Sequence, residues 1–316
     1  MISVRPPERH KISYLEDSRR WEQIERRPDD VVISTPPKSG TTWMQGIVTA
    51  LLWPEGDSPD AFSALSPWVD FRLPPIDELI ERIETQRHRR FLKTHTSAAG
   101  YPVDVAGKNI VVYRDGRDAL VSWKNHREKM RPEVVEMLND AAAGDGVEPL
   151  PPVWSGDMDQ LFDEWARDCS PVDHLAGWWP LRHEPYVWFV HYNDLSADLE
   201  GEMRWIADFL ELDVPEERWP DVVGRCRIDS MRSEAADAGL HDLGFEGGAE
   251  SFFHKGPNGR WEGVVTGEQL ARYADMVSEL PADAAEWLEH GSRARGHRPC
   301  RTTRVRPVLS VRLRRG

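Results

Sequence analysis

The stretch VVISTPPKSGTTWMQGIVTALLW, residues 31–53, decides the fold, because it changes from a strand pattern to a helix pattern at a short turn. Residues 31–34 are a mostly β-branched run followed by Pro36 and Pro37, which predicts one buried strand. From Thr42 onward the apolar residues recur about every 3.6 positions, which predicts a helix. A strand, a tight turn and a helix therefore follow one another.

The turn of this unit collects groups that bind anions, namely Lys38, Ser39, Gly40, Thr41 and Thr42. Free N–H groups and the helix dipole favour negative charge at a helix start. Glycine allows a close approach of the backbone, the threonines add hydroxyl donors and the lysine adds a full charge. These residues predict a phosphate-like anion site, although helix capping alone also favours glycine and threonine here. The turn is not a Walker A loop, because its lysine precedes the only glycine.

The length and charge of the chain bound its organisation. Its 316 residues predict one α/β domain at residues 31–291, with an N-terminal arm at 1–30 and an insertion at about 128–160. Residues 292–316 carry nine arginines and no acid, and they are expected to form a disordered basic tail. Because the whole chain has a net charge of −14, the remainder carries −23, which argues against a nucleic-acid-binding surface.

Cysteine spacing and hydropathy indicate the cellular setting. Cys169, Cys226 and Cys300 are far apart, which predicts neither a zinc site nor a disulfide framework. No apolar run approaches the roughly 18 residues of a membrane span, and the start of the chain lacks the apolar core of a signal peptide. We therefore expect a soluble, cytoplasmic protein. Weak contact of the tail with an anionic membrane surface and formation of a homodimer are left open.

Three further segments have strand patterns and alternate with helical patterns. The strands are predicted at residues 89–95, 109–113 and 186–192, and the helices at 76–87, 119–125, 160–179, 199–212, 215–225 and 268–290. This alternation predicts an α/β fold with a central parallel β-sheet flanked by helices.

In such a sheet, ligands bind at the carboxyl ends of the strands. We therefore expect Lys38, Lys93, His95, Arg114 and Tyr192 to lie close together, since each stands at or just after a strand end. A histidine at this edge, with an ordinary pKa near 6.5, is placed for acid–base chemistry.

Two other features favour a nucleotide ligand. Ser122 lies on the helix that follows Arg114, so both side chains can face one anion, although a salt bridge of Arg114 with Asp115 or Asp118 is an equal alternative. The segment FFHKGPNGRWEG, residues 252–263, offers a flexible turn and a lysine that could close over the ligand.

Four tryptophans are candidates for an apolar acceptor pocket, although core packing is favoured for each one singly: Trp68, Trp154, Trp178 and Trp179.

Five motifs, in this order, resemble the sulfotransferase family that uses 3′-phosphoadenosine 5′-phosphosulfate (PAPS): TPPKSGTTW, KTH, YRDGRDALVS, FVHYNDL and HKGPNGRW. The segments LSPWVDFRLPP and QRHRRFLKTHT are similar to the actinobacterial glycolipid sulfotransferases. The resemblance implies the P-loop-like nucleotide-binding architecture of these enzymes. It also implies PAPS as co-substrate, adenosine 3′,5′-bisphosphate as product, no metal, and a hydroxyl-bearing acceptor that is a small apolar molecule or a glycolipid.

The resemblance also implies roles for individual residues. His95 matches the general base, and the other residues matched to catalysis are Lys38, Lys93 and Ser122. The residues matched to the nucleotide are Lys38, Ser39, Gly40, Thr41 and Thr42 at the phosphosulfate, Trp43 at the adenine, Arg114, Ser122, Lys255 and Gly256 at the 3′-phosphate, and Tyr192 beside it.

Four positions depart from the family pattern. His254 stands where an arginine is usual and Arg260 where an aspartate is usual, so one phosphate clamp is missing. Cys226 and Ile228 replace a threonine and a phenylalanine at the adenine side, which implies weaker stacking.

Two other functions remain as alternatives. A nucleoside or small-molecule kinase would need a magnesium site and normally a Walker lysine. A non-catalytic nucleotide-binding module would have no use for a histidine such as His95 at a strand end.

Overall fold

The computed structural model describes residues 4–237 and 258–292. This part of the chain contains six strands: β1 (Val4–Arg5), β2 (Val31–Ser34), β3 (Phe91–Thr94), β4 (Val103–Asp104), β5 (Lys108–Tyr113) and β6 (Val187–His191). It contains thirteen α-helices: α1 (Thr41–Leu52), α2 (Phe62–Leu65), α3 (Ile76–Glu84), α4 (Gly116–Lys129), α5 (Pro132–Ala141), α6 (Met158–Asp168), α7 (Pro171–Trp178), α8 (Tyr192–Ala197), α9 (Leu199–Leu210), α10 (Trp219–Arg225), α11 (Ile228–Asp237), α12 (Gly267–Val277) and α13 (Ala282–His290). Three short 3₁₀ helices span Ser18–Gln23, Trp179–Leu181 and Glu216–Arg218.

The central sheet has the strand order β3-β2-β5-β6, and all of its pairs are parallel. The predicted α/β fold with a parallel sheet and flanking helices is thereby confirmed. The strand predicted at residues 89–95 is shorter in the structure, where only Phe91–Thr94 pairs. Arg90 instead forms a buried ion pair with Asp30 at 2.6 Å, which ties the start of β3 to the residue before β2.

Both faces of the sheet are covered, as is usual for parallel sheets. The side chains of β2 alternate, so Val31 and Ile33 belong to one apolar cluster and Val32 to the other. The first cluster is completed by α1, α9 and α10, and the second by α4, α6 and α7. The sheet is therefore held rigidly between two helical layers, and its carboxyl edge remains for the ligand.

Prolines divide two of the predicted helices. The segment predicted as one helix at 160–179 is two, because Ser170 caps a new helix that begins with Pro171. The segment predicted at 268–290 is likewise divided before Pro281. Proline lacks the N–H that a continuous helix needs, so each break follows from the sequence.

The predicted N-terminal arm and the predicted insertion both contribute side chains to the apolar core. In the N-terminal segment Tyr14, Trp21 and Ile24 are buried, and β1 pairs with β4 in a small antiparallel ribbon. The segment at about 128–160, predicted as an insertion, contains the helix α5, whose Val135 and Leu138 are buried. Apolar residues at that spacing allow a helix to form and pack against the domain.

Most of the predicted basic tail, residues 293–316, lies outside the described residues. Among residues 4–237 and 258–292, no helix combines the length and the apolar content needed to cross a bilayer.

Candidate active site

A cavity of about 490 Å³ lies at the carboxyl edge of the sheet. Residues that follow each of the four parallel strands line it: Lys38 after β2, His95 after β3, Arg114 after β5 and Tyr192 after β6. Its lining includes basic and polar residues, called the polar wall, and apolar residues, called the apolar wall, among them Leu15, Trp68, Phe71, Leu79, Met130, Val134 and Leu138. The cavity therefore combines an anion site with room for an apolar group.

The anion cradle is the turn between β2 and α1. Gly40 is the N-cap of α1, has a φ of 107° and provides no side chain to cap the helix. A Cβ at this position would approach the ring of Tyr192 to 3.3 Å, so the left-handed backbone and the tight packing both require glycine. The N–H groups of the first turn lack partners within the helix, and Thr41 and Thr42 line the cavity beside them.

Lys38 lies in the cradle with a left-handed backbone, φ 67°, which is unusual for a residue other than glycine. Its Nζ is 3.4 Å from Nδ1 of His126 on α4. Burial of the ammonium lowers the pKa of Lys38 to about 8, and the positive charges of Lys93 and Arg114 contribute to the shift. An anion that binds in the cradle would therefore stabilise the charged form of Lys38.

Lys93, on β3, places its ammonium 3.9 Å from the centre of the Trp68 ring, in a cation–π contact. The same tryptophan stacks on Phe71 at 4.5 Å and meets the His95 ring edge-on at 4.7 Å. Burial lowers the pKa of Lys93 to about 8, while the carboxylates of Asp70 and Glu16 act in the opposite direction. One indole ring thus contacts both the lysine and the histidine of the KTH motif.

The hydrogen bonds of His95 fix which ring nitrogen can act as a base. Its Nδ1 is 2.7 Å from the carbonyl oxygen of Thr35, and a carbonyl can only accept, so Nδ1 carries the proton. The hydroxyl of Thr35 is also near Nδ1, at 3.2 Å. Burial lowers the pKa of His95 well below its ordinary value, and the charge of Lys93 lowers it further. His95 is therefore neutral at pH 7, with its lone pair on Nε2.

Arg114 is buried, and its guanidinium lies 4.5 Å from the centre of the Tyr192 ring. Its Nε donates to Oδ1 of Asn258 at 3.0 Å. The neighbouring carboxylates bind other groups: Asp115 pairs with Arg117, and Asp118 accepts two backbone N–H groups, at 2.9 Å each, from the chain at residues 259 and 260. Burial lowers the pKa of Arg114, although a guanidinium remains charged at any ordinary pH.

Of the remaining residues predicted to bind the nucleotide, some line the cavity and one is directed away from it. Ser122, Trp43 and Ile228 line the cavity. The Trp43 indole donates to the carbonyl oxygen of Cys226 at 2.8 Å and lies edge-on to Tyr192 at 5.0 Å. The Cys226 thiol is buried behind Trp43 and directed at the backbone of α1, so this side chain is not part of the described lining.

Other predicted residues are separated from the cavity or lie outside the described chain. Ser39 is fully buried and does not belong to the described lining. His254, Lys255 and Gly256 lie in the segment between residues 237 and 258, which is outside the described residues.

Of the four tryptophans considered for an acceptor pocket, only Trp68 lines this cavity. Trp178 belongs to the core, where its indole donates to Ser34 Oγ at 2.9 Å, and Trp154 and Trp179 pack against the same apolar cluster.

Two residues that line the cavity were not among the site residues predicted from the sequence. His126 lies four positions after Ser122 on α4, so the helical period places both on one face, and this spacing was a usable signal. Arg260 lines the cavity as well, although it was considered only as a departure from the family pattern.

Within the part of the chain that the structure describes, no group of three or more potential metal ligands is present.

Comparison with known proteins agrees with this geometry. The family model described as "Sulfotransferase domain" matches residues 28–286. A glycolipid sulfotransferase of Mycobacterium bovis is 31% identical over 307 residues, covering 89% of this chain and 94% of that protein. Sulfotransferase 1 family member D1 of Rattus norvegicus is 28% identical over 276 residues, covering 83% of this chain and 88% of the relative.

A solved structure of mouse sulfotransferase SULT7A1, complexed with PAP, has a similar fold. It superimposes with a TM-score of 0.65 at 19% identity, covering 86% of this chain and 92% of the mouse chain.

Proposed function

The chain belongs to the sulfotransferase family, and from that premise we propose that it transfers the sulfuryl group of PAPS to a hydroxyl of an apolar or glycolipid acceptor. The observation that carries the proposal is the neutral His95, whose Nδ1 donates to the Thr35 carbonyl oxygen in a cavity that is also lined by two half-buried lysines. A base beside cations is the combination that hydroxyl activation and anion transfer require.

The polar wall of the cavity fits an anionic donor. The lining residues supply helix N–H groups, two lysines, three arginines and three serine hydroxyls, and the described lining contains no carboxylate. The mouse SULT7A1 structure is a complex with PAP, the bisphosphate that remains after PAPS gives up its sulfuryl group. We assign Lys38, Gly40, Thr41 and Thr42 to the 5′-phosphosulfate, Trp43, Tyr192 and Ile228 to the nucleoside, and Arg114 with Ser122 to the 3′-phosphate.

PAPS supplies the sulfuryl group when it is bound, and the residues of this chain supply the rest of the chemistry. His95 accepts the proton of the acceptor hydroxyl on Nε2 as that oxygen forms its bond to sulfur. Lys38 neutralises the charge that develops on the phosphate oxygen as the sulfur–oxygen bond breaks, and Lys93 balances charge on the sulfuryl oxygens. The Thr35 carbonyl accepts a hydrogen bond from Nδ1–H, which leaves Nε2 as the nitrogen that takes the proton.

The apolar wall supports an acceptor with a large apolar body. Phe71, Leu79, Met130, Val134 and Leu138 contribute aliphatic and aromatic surface to the cavity that also contains His95. The likeness to a protein named glycolipid sulfotransferase supports the same class of acceptor. An apolar molecule that contacts these side chains would thus carry its hydroxyl into the same cavity as the base.

Incubation with PAPS and a panel of phenols, alcohols and glycolipids, followed by mass spectrometry, tests the proposal. The expected result is the addition of one sulfuryl group to at least one acceptor class and release of adenosine 3′,5′-bisphosphate, and both should be strongly slowed in His95→Ala. Transfer from ATP with magnesium, and none from PAPS, would support the kinase alternative. Tight PAPS binding with no transfer to any acceptor would support the non-catalytic alternative.

A further inference from the structure

We propose that His126 is a positioning residue for Lys38: its imidazole accepts a hydrogen bond from the ammonium and holds it, charged and oriented, in the anion cradle. Nδ1 of His126 and Nζ of Lys38 are 3.4 Å apart, although the two residues are 88 positions apart in the chain. Both side chains line the same cavity. The assignment of a catalytic role to Lys38 rests on the proposed function, whereas the contact itself does not.

The imidazole is held in place by the end of α4. Its ring stacks on Trp123 at 5.0 Å with an interplanar angle of 26°. The indole of Trp123 in turn donates to Glu164 of α6 at 3.0 Å, and Arg127 forms an ion pair with the same carboxylate at 3.1 Å. These contacts join α4 to α6, so the position of the His126 ring is set by the packing of two helices.

The electrostatic surroundings explain why an imidazole suits this position. Among the described residues, the charged and titratable groups that act on Lys38 include Lys93 from β3, Arg114 after β5 and His126 from α4, with the buried thiol of Cys169 after α6 acting more weakly. Two of these groups are cations that repel the ammonium. A neutral imidazole can accept its hydrogen bond, and burial, followed by the charge of Lys38, lowers the pKa of His126 well below its ordinary value.

A neutral acceptor also has a consequence for ligand binding. A carboxylate at the same position would form an ion pair with Lys38 that an incoming phosphosulfate would have to break. The imidazole leaves the net positive charge of the cradle unchanged, because it carries no charge of its own. His126 therefore orients the lysine without competing strongly for it when an anion arrives.

The test compares His126→Phe, which keeps the shape and stacking of the ring, with His126→Asn, whose Oδ1 replaces the Nδ1 acceptor. The pKa of Lys38 is measured directly by competitive acetylation with acetic anhydride at a series of pH values, followed by peptide mass analysis. A hydrogen bond to a charged group corresponds to roughly one to two pKa units, so His126→Phe should lower the pKa of Lys38 by about one unit. His126→Asn should restore most of it.

Matched controls separate this effect from a general loss of structure. His183→Phe makes the same exchange at an exposed position and should leave the pKa of Lys38 unchanged. Circular dichroism reports whether each variant is folded, and His126→Leu provides a second variant without an acceptor if the phenylalanine is not tolerated. In a double-mutant cycle, His126→Phe should cause no further loss of turnover once Lys38→Ala is present.

An unchanged pKa of Lys38 in His126→Phe would overturn the proposal, as would a failure of His126→Asn to restore it. Failure of the wild type to use PAPS would instead overturn the proposed function, and the acetylation measurement would still decide the role of His126.

Discussion

The pH dependence of the reaction provides a quantitative test of the cavity electrostatics. Lys38 and Lys93 have pKa values of about 8, compared with an ordinary value of 10.5. Both residues act as cations. Because their pKa values are lowered, they lose their protons, and with them their function, at a lower pH than an ordinary lysine. kcat/KM for PAPS reports the groups of the free enzyme and should therefore decline above pH 8.

The size of the decline follows from the two pKa values. Each lysine is about nine-tenths protonated at pH 7 and about one-tenth protonated at pH 9, so each accounts for a roughly tenfold loss. If both ammonium groups are needed, kcat/KM should fall about 100-fold between pH 7 and pH 9. On the acid side there should be no decline near pH 6.5, because His95 is active when neutral and its pKa lies well below that value.

Initial rates at subsaturating PAPS, in buffers of constant ionic strength, measure this profile. Lys38→Arg and Lys93→Arg are the controls, because arginine stays charged and each variant should lose one tenfold step of the alkaline decline even if its rate at pH 7 is lower. A profile that is flat from pH 7 to 10 in the wild type would refute the reasoning. So would an acid limb centred at pH 6.5 that disappears in His95→Ala.

Three further predictions concern single groups. His95→Ala should lower turnover by roughly 10²- to 10⁴-fold while calorimetry shows unchanged binding of adenosine 3′,5′-bisphosphate, and near-normal turnover would exclude it as the base. Arg114→Ala should weaken that bisphosphate by roughly 10- to 100-fold but barely affect adenosine 5′-phosphate, whereas equal binding of the two nucleotides by the wild type would contradict the PAPS assignment. Activity should persist in EDTA, and a loss that magnesium restores would favour a kinase instead.

The sequence determined the framework of this protein. The strand–turn–helix pattern at residues 31–53 and the later strand patterns predicted a parallel sheet, and the sheet rule predicted which residues meet at its edge. Lys38, Lys93, His95, Arg114 and Tyr192 do line one cavity, because each lies within a few residues of the carboxyl end of a parallel strand. These positions follow from the strand and turn patterns of short segments, and a single sequence is enough to recognise such patterns.

Two points could not be decided from the sequence patterns: the partner of Arg114 and the ends of two long helices. Whether Arg114 pairs with Asp115 or Asp118 was undecidable from spacing, and the structure gives those carboxylates to Arg117 and to backbone N–H groups of the late segment. The helix breaks at Pro171 and Pro281 were visible in the sequence but were outweighed by apolar periodicity.

Only the tertiary structure decided how side chains from distant elements meet. It placed Trp68 in the cavity and Trp178 in the core, and it directed the Cys226 thiol at the backbone of α1 and not into the cavity. It also brought His126 to Lys38 across 88 residues. The physical reason is that such contacts depend on the rotation and offset of whole helices packed on the sheet, and the pattern of one segment fixes its own apolar face but not the partner it meets.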